Sequence, residues 1–197
     1  MPRPIVAGGQ VEVIAGPMFA GKTEELLRRV RRAAIAGQRV VVFSHSLDTR
    51  AGGDRIASHA GLDAPSRVVS SAEEIVSAVG ADEFDIVAID EAQFFGPPLL
   101  DIVRGLATRG LHVIVAGLDV TFLGQPFEPL PSLMVGAERV DKLTAVCSVC
   151  GADAIFHARK SAGGGSDVRA VTENVGGVET YQALCRRHFN PDASPTE

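Results

Sequence analysis

The chain of 197 residues is 46% hydrophobic and 22% charged, enough apolar material for one ordinary domain and a small appendage. Its formal net charge of −5 argues against nonspecific binding to nucleic acid or to an anionic membrane, which needs a positive surface. The opening MPRPIVAGGQ carries no apolar run of signal-peptide length, and no window approaches the roughly 20 apolar residues of a bilayer span, so a cytoplasmic protein is expected.

VEVIAG (11–16) is a β-branched run that stops at a glycine and reads as a buried strand. In the following KTEELLRRVRRAAIAG, Leu26, Leu27, Val30, Ala33 and Ala34 recur at helical spacing, and Gly37 is the stop. RVVVFS (39–44) is a second strand. SRVVSSAEEIVSAVG reads as a short strand and a helix, with Ser70 and Glu73 at capping-box spacing. FDIVAID (84–90) is a third apolar strand. PPLLDIVRGLATRG has proline at the start of a helix and glycine at its end. LHVIVAGLD (111–119) is a further strand, and PSLMVGAERV a short helix before DKLTAVC.

Strands that are apolar on both faces and alternate with helices mean a parallel sheet covered on both sides, an α/β fold. The rhythm ends near residue 141. This divides the chain into 1–141, a core of alternating strands and helices, 142–190, a small unit, and 191–197, a polar tail. A unit of about fifty residues is too small to fold on a hydrophobic core alone without help.

Residues 16–23, GPMFAGKT, match G-x-x-x-x-G-K-[ST] without a gap. Glycines let successive N–H groups converge on phosphate oxygens, and the helix opening near Lys22 adds its positive end. Lys22 would reach the β- and γ-phosphates, and Thr23 would offer a hydroxyl to Mg²⁺. The motif follows a predicted strand and opens a predicted helix, as its mechanism requires. Asp90 ends an apolar strand and is expected to hold Mg²⁺, directly or through water. Glu91 follows where the strand stops, so it can turn toward the crevice as a general base. These two motifs leave the phosphate acceptor open, since many proteins with an Asp-Glu here hydrolyse ATP.

Cys147 and Cys150 form C-x-x-C, and Cys185 and His188 form C-x-x-H. Two such knuckles have the ligand set of a tetrahedral structural zinc site, and the metal would supply the stability that the small unit lacks. A redox C-x-x-C would need no distant Cys/His partner. His59 and His157 have no partner at ligand spacing.

Together, GPMFAGKTEELLRRVRR, LDTR, IDEAQFF, GLDVTFLGQPF, KLTAVCSVCGADA and GGVETYQALCRRHF resemble the type II thymidine kinases, in order from about residue 11 to 189. The resemblance implies a RecA-like P-loop core and a small zinc ribbon carrying a lasso loop over the nucleoside. It implies transfer of the ATP γ-phosphate to the 5′-hydroxyl of thymidine, and also of deoxyuridine, which differs by one methyl. A homotetramer and feedback inhibition by dTTP are implied as well.

Carried over by position, Gly16, Pro17, Met18, Phe19, Ala20, Gly21, Lys22 and Thr23 hold phosphates, with Asp48, Thr49 and Arg50 in a second phosphate-side segment. Asp90, Glu91, Ala92 and Gln93 lie at the nucleotide and Mg²⁺, with Glu91 the proton acceptor. Phe122 packs at the nucleoside. Thr172, Glu173, Asn174, Val175 and Gly176 contact thymine through their backbone, and Tyr181 closes the site. Met18, Phe94 and Leu118 line the base pocket, and Arg159 lies near the donor phosphates. Without the resemblance, Phe94, Leu118 and Phe122 read as core packing. His157 stands where the family is expected to have a threonine near the base. A competing class is an ATP-regulated zinc protein that grips nucleic acid; the charge and the shortage of aromatics speak against it.

Overall fold

The computed structural model describes residues 8–48, 55–57, 63–80, 84–160 and 180–191. Its centre is a six-stranded parallel sheet in the order β5-β2-β6-β7-β1-β8. The strands are β1 (Gln10–Gly16), β2 (Val40–His45), β5 (Arg67–Val69), β6 (Ile86–Ile89), β7 (His112–Leu118) and β8 (Arg139–Lys142). Helices α1 (Lys22–Ile35), α2 (Ala72–Gly80), α3 (Pro98–Thr108) and α4 (Leu130–Val135) connect them. None of the helices among the described residues is long and apolar enough to cross a membrane.

Alternation along β1 builds both cores. Val11, Val13 and Ala15 join the cluster that includes Ile75 of α2, Leu99 and Val103 of α3 and Leu133 of α4. Ile14 points the other way, into a cluster with Leu26, Leu27 and Val30 of α1. Both faces of the sheet are therefore buried, which is why these strands read as unbroken apolar runs.

Three features differ from the sequence reading. Arg139–Lys142 is a sixth strand, parallel to β1. It lies at the sheet edge with its residues largely exposed, so it lacks an apolar run. A short antiparallel hairpin, β3 (Arg55–Ala57) with β4 (Asp63–Pro65), carries no such run either. Finally, Ser70 pairs with Glu74 rather than Glu73: its N–H and Oγ donate to the Glu74 carboxylate at 3.1 and 2.6 Å. Because α2 opens at Ala72, Glu74 is the acid that faces back over Ser70.

Beyond β8 lie two antiparallel pairs, β9 (Ala145–Val146) with β10 (Asp153–Ala154) and β11 (Phe156–Arg159) with β12 (Tyr181–Leu184). Their small core of Ala145, Cys147, Ala154, Ala183, Leu184 and Cys185 packs against Phe19 and Ala20 of the loop after β1. The small unit thus leans directly on the glycine-rich loop.

Candidate active site and metal centre

The loop 16–23 runs from the end of β1 into the first turn of α1. Gly16 has φ 153°, and a Cβ there would meet the Leu143 carbonyl oxygen at 2.6 Å, so the position admits only glycine. Gly21 has φ 78° immediately before the helix. Phe19 is held at φ 67°, a strained region for a non-glycine residue and one found mostly where a site demands it. Lys22 is buried, and its Nζ donates to the Pro17 carbonyl at 2.7 Å across the loop. Thr23 Oγ1 donates to Asp90 Oδ2 at 3.0 Å, which joins the loop to the end of β6. A hydroxyl and a carboxylate oxygen at this separation form the donor set of a hard divalent cation.

Glu91 follows Asp90, buried and with φ 49°, so the chain turns sharply where the strand ends. Its N–H donates to Asp90 Oδ1 at 3.0 Å. Residues Ala92–Phe95 then form a 3₁₀ turn. Within it, Gln93 Nε2 donates to Glu91 Oε2 at 2.5 Å, while Gln93 Oε1 accepts the Leu118 N–H at 3.0 Å. The turn is braced from β2 by His45, whose Nδ1 accepts the Leu47 N–H at 3.1 Å. The His45 ring meets Phe95 edge-on at 4.8 Å and Phe94 at 5.9 Å. Burial lowers the His45 pKa, which keeps the ring neutral and able to accept. Asp48 follows, its N–H bonded to the His45 carbonyl at 2.8 Å, so the strand end carrying Asp48 and the turn after Glu91 are fixed together.

Phe122 sits in the loop after β7 with the Arg159 guanidinium 4.9 Å above its ring. Arg159 is paired in register with Tyr181, which is buried. His157 is buried beside them, edge-on to Tyr181 at 5.8 Å. Burial, with the charge of Lys22 added, pushes its imidazole pKa down to about 3, so the ring is neutral. Met18, Phe94 and Leu118 are half-buried. Thr49, Arg50 and the segment from Thr172 to Gly176 lie outside the described residues, as does His59.

The four predicted metal ligands converge: one donor atom from each of Cys147, Cys150, Cys185 and His188 lies within 4.8 Å of the others. Cys150 and Cys185 sulfurs are 3.8 Å apart, and His188 Nδ1 lies 3.3 Å from Cys185 Sγ and 3.6 Å from Cys147 Sγ. A tetrahedron with metal–sulfur bonds of about 2.3 Å has edges of about 3.8 Å, so the set fits zinc. Backbone N–H groups, that of Cys185 first, lower the Cys147 thiol to about 5 and favour the thiolate that a metal requires.

Sequence reasoning missed His45, Gly117 and Phe189. Gly117 carried a signal, since an isolated glycine inside a strand marks a close approach. A Cβ there would meet Gln93 Oε1 at 2.8 Å and Leu130 Cδ2 at 2.9 Å. Phe189 follows His188, the last residue of the Cys₃His cluster, and stacks on Phe156 at 4.3 Å.

A doubly covered parallel sheet, a phosphate loop after β1, an acid pair after β6 and a Cys₃His ribbon define an α/β P-loop protein with a small zinc-compatible unit. A model of the thymidine kinase family matches residues 9–189, and the chain belongs to that family. It is 43% identical to the thymidine kinase of Deinococcus radiodurans over 94% of this chain and 92% of that one. It is 47% identical to the thymidine kinase of Rhodothermus sp., over 93% and 82% of the two chains. The thymidine kinase of Bdellovibrio bacteriovorus is 46% identical over 95% and 89%.

Proposed function

We propose that the protein transfers the γ-phosphate of ATP to the 5′-hydroxyl of thymidine, giving dTMP for nucleotide salvage, with deoxyuridine as a further substrate. The observation that carries this reading is the position of Glu91, one residue beyond an Asp90 carboxylate that meets Thr23 of the phosphate loop. A base is thereby set beside the triphosphate site, and membership of the thymidine kinase family supports the nucleoside as acceptor.

The 5′-oxygen attacks the γ-phosphorus as its proton passes to Glu91. The bond from phosphorus to the β–γ bridging oxygen breaks, and ADP leaves. The loop N–H groups and Lys22 hold the phosphates, and Arg159 steadies the transferring charge. Thr23 and Asp90 would hold Mg²⁺, which neutralises phosphate charge when bound. Met18, Phe94, Leu118, Phe122 and Tyr181 wall the nucleoside, while the backbone of 172–176 reads thymine and Asp48, Thr49 and Arg50 serve the phosphate side. Cys147, Cys150, Cys185 and His188 would hold zinc, which supplies folding stability to the ribbon, 142–190. In this reading dTTP inhibits by spanning both substrate sites, and the enzyme is a cytoplasmic homotetramer.

The test is ATP-dependent phosphorylation of labelled thymidine by the wild type and by Glu91→Gln. Turnover by the wild type is expected, with a loss of roughly 100- to 10,000-fold in the variant. Wild-type enzyme inert on every pyrimidine deoxynucleoside would overturn the reading.

A further inference from the structure

Gln93 joins two strand ends that the sequence keeps apart. Its carboxamide nitrogen faces the Glu91 carboxylate at 2.5 Å, and its oxygen faces the Leu118 N–H at 3.0 Å. The amide orientation is fixed by chemistry: the carboxylate can only accept when ionised, and the backbone N–H can only donate. The side chain is buried, so neither end is competing with solvent. Space for it depends on β7, where Gly117 leaves room for the Gln93 oxygen that a Cβ would crowd at 2.8 Å. Glu91 itself sits on a left-handed residue at a sharp turn, and the backbone alone leaves its side chain several rotamers.

We infer that Gln93 is a positioning residue for the phosphoryl transfer, holding the Glu91 carboxylate against the end of β7 so that it faces the attacking hydroxyl. This rests on the reading of Glu91 as the base. An N–H donor also stabilises the ionised form of that carboxylate, which is the form able to take the proton. A base held in one geometry gains in effective concentration, and a misplacement near 1 Å costs about 100-fold in rate. Gln93 therefore acts on the chemical step rather than on substrate affinity.

The experiment measures kcat and both KM values for the wild type, Gln93→Met, Gly117→Ala, Glu91→Gln and the Gln93→Met/Glu91→Gln double variant. Methionine keeps the length and volume of glutamine but neither bond, and Gly117→Ala dislodges the amide while leaving Gln93 in place; whichever variant folds carries the test. Expected are a kcat lower by roughly 10- to 100-fold with KM values within about threefold. Gln93→Met should add little to the loss already present in Glu91→Gln, because it works through that carboxylate. A kcat within about twofold of wild type, or an equal loss in both backgrounds, would overturn the positioning role while leaving the base in place. A fully active Glu91→Gln would instead remove the base reading, and the positioning role with it.

Discussion

Gly124 and Phe189 stand so close that a Cβ on the glycine would lie 2.7 Å from Cε1 of the ring. Phe189 directly follows His188 of the Cys₃His cluster and stacks on Phe156 of β11. Gly124, at φ 76°, closes the turn from Thr121 to Gln125, and that turn carries Phe122. The Cys₃His unit is therefore seated on the loop that carries Phe122. Gly124→Ala brings both a left-handed penalty and a clash. The expected loss of stability is about 1–3 kcal/mol, read by denaturant unfolding. Thymidine KM should rise while ATP KM moves little. Equal shifts in the two KM values would show that the loop and the ribbon are not joined in this way.

With Phe122 and Tyr181 in their proposed roles, the same seating would link zinc to the nucleoside. Cys185 and His188 lie directly beyond the strand that runs from Tyr181 to Leu184. Cys185→Ser or His188→Ala should release zinc, measured by metal analysis of the purified protein. Thymidine binding should weaken, whereas ATP binding, resting on residues 16–23, should suffer less. Full zinc occupancy in both variants would contradict the assigned ligand set.

Lys22 is buried and already held by the loop it serves, through the Pro17 carbonyl. Lys22→Met removes the charge and keeps most of the volume. The expected result is a kcat lower by roughly 100- to 1,000-fold, with a folded protein of near-normal melting temperature. Initial-rate kinetics beside a thermal melt checks both halves.

The interior strands were legible because burial on both faces forces an apolar run, as in β1, β6 and β7. The metal set was legible because ligand chemistry demands cysteine and histidine at close spacing, however far apart the two pairs lie. β8 was not, because an edge strand with exposed residues carries no apolar signature. The Ser70–Glu74 contact was misread by one residue because the helix start, not the spacing of serine and acid, decides which carboxylate faces back. Gln93 was visible as part of a motif. Its grip on β7 was not, because that contact depends on the sheet bringing β6 and β7 side by side.

Arg29 is 8% exposed and donates to Glu12, Glu25 and Asp141 at 2.5, 2.8 and 2.6 Å, tying α1 to β1 and β8. All three acids are held below their ordinary range. Glu25 falls to about 2, through Arg28 first and Arg29 after it. Glu12 is lowered first by His112, whose Nε2 lies 3.3 Å from its Oε1, and then by Arg29. Burial of Asp141 opposes the shift, but its bonds from Arg29 and Arg139 prevail. A depressed folded-state pKa contributes stability above the unfolded value, and that stability is lost as pH falls toward the folded one. Arg29→Met leaves these carboxylates short of their shared cation. At pH 7 it should destabilise the fold by about 3–5 kcal/mol, the range for removing one partner from a buried ion pair. As pH drops through about 4 the acids in the variant take up protons and the penalty should shrink. Urea unfolding of both proteins at pH 7 and pH 4 measures the difference. A penalty of the same size at both pH values would mean that Arg29 stabilises the junction by packing rather than by charge.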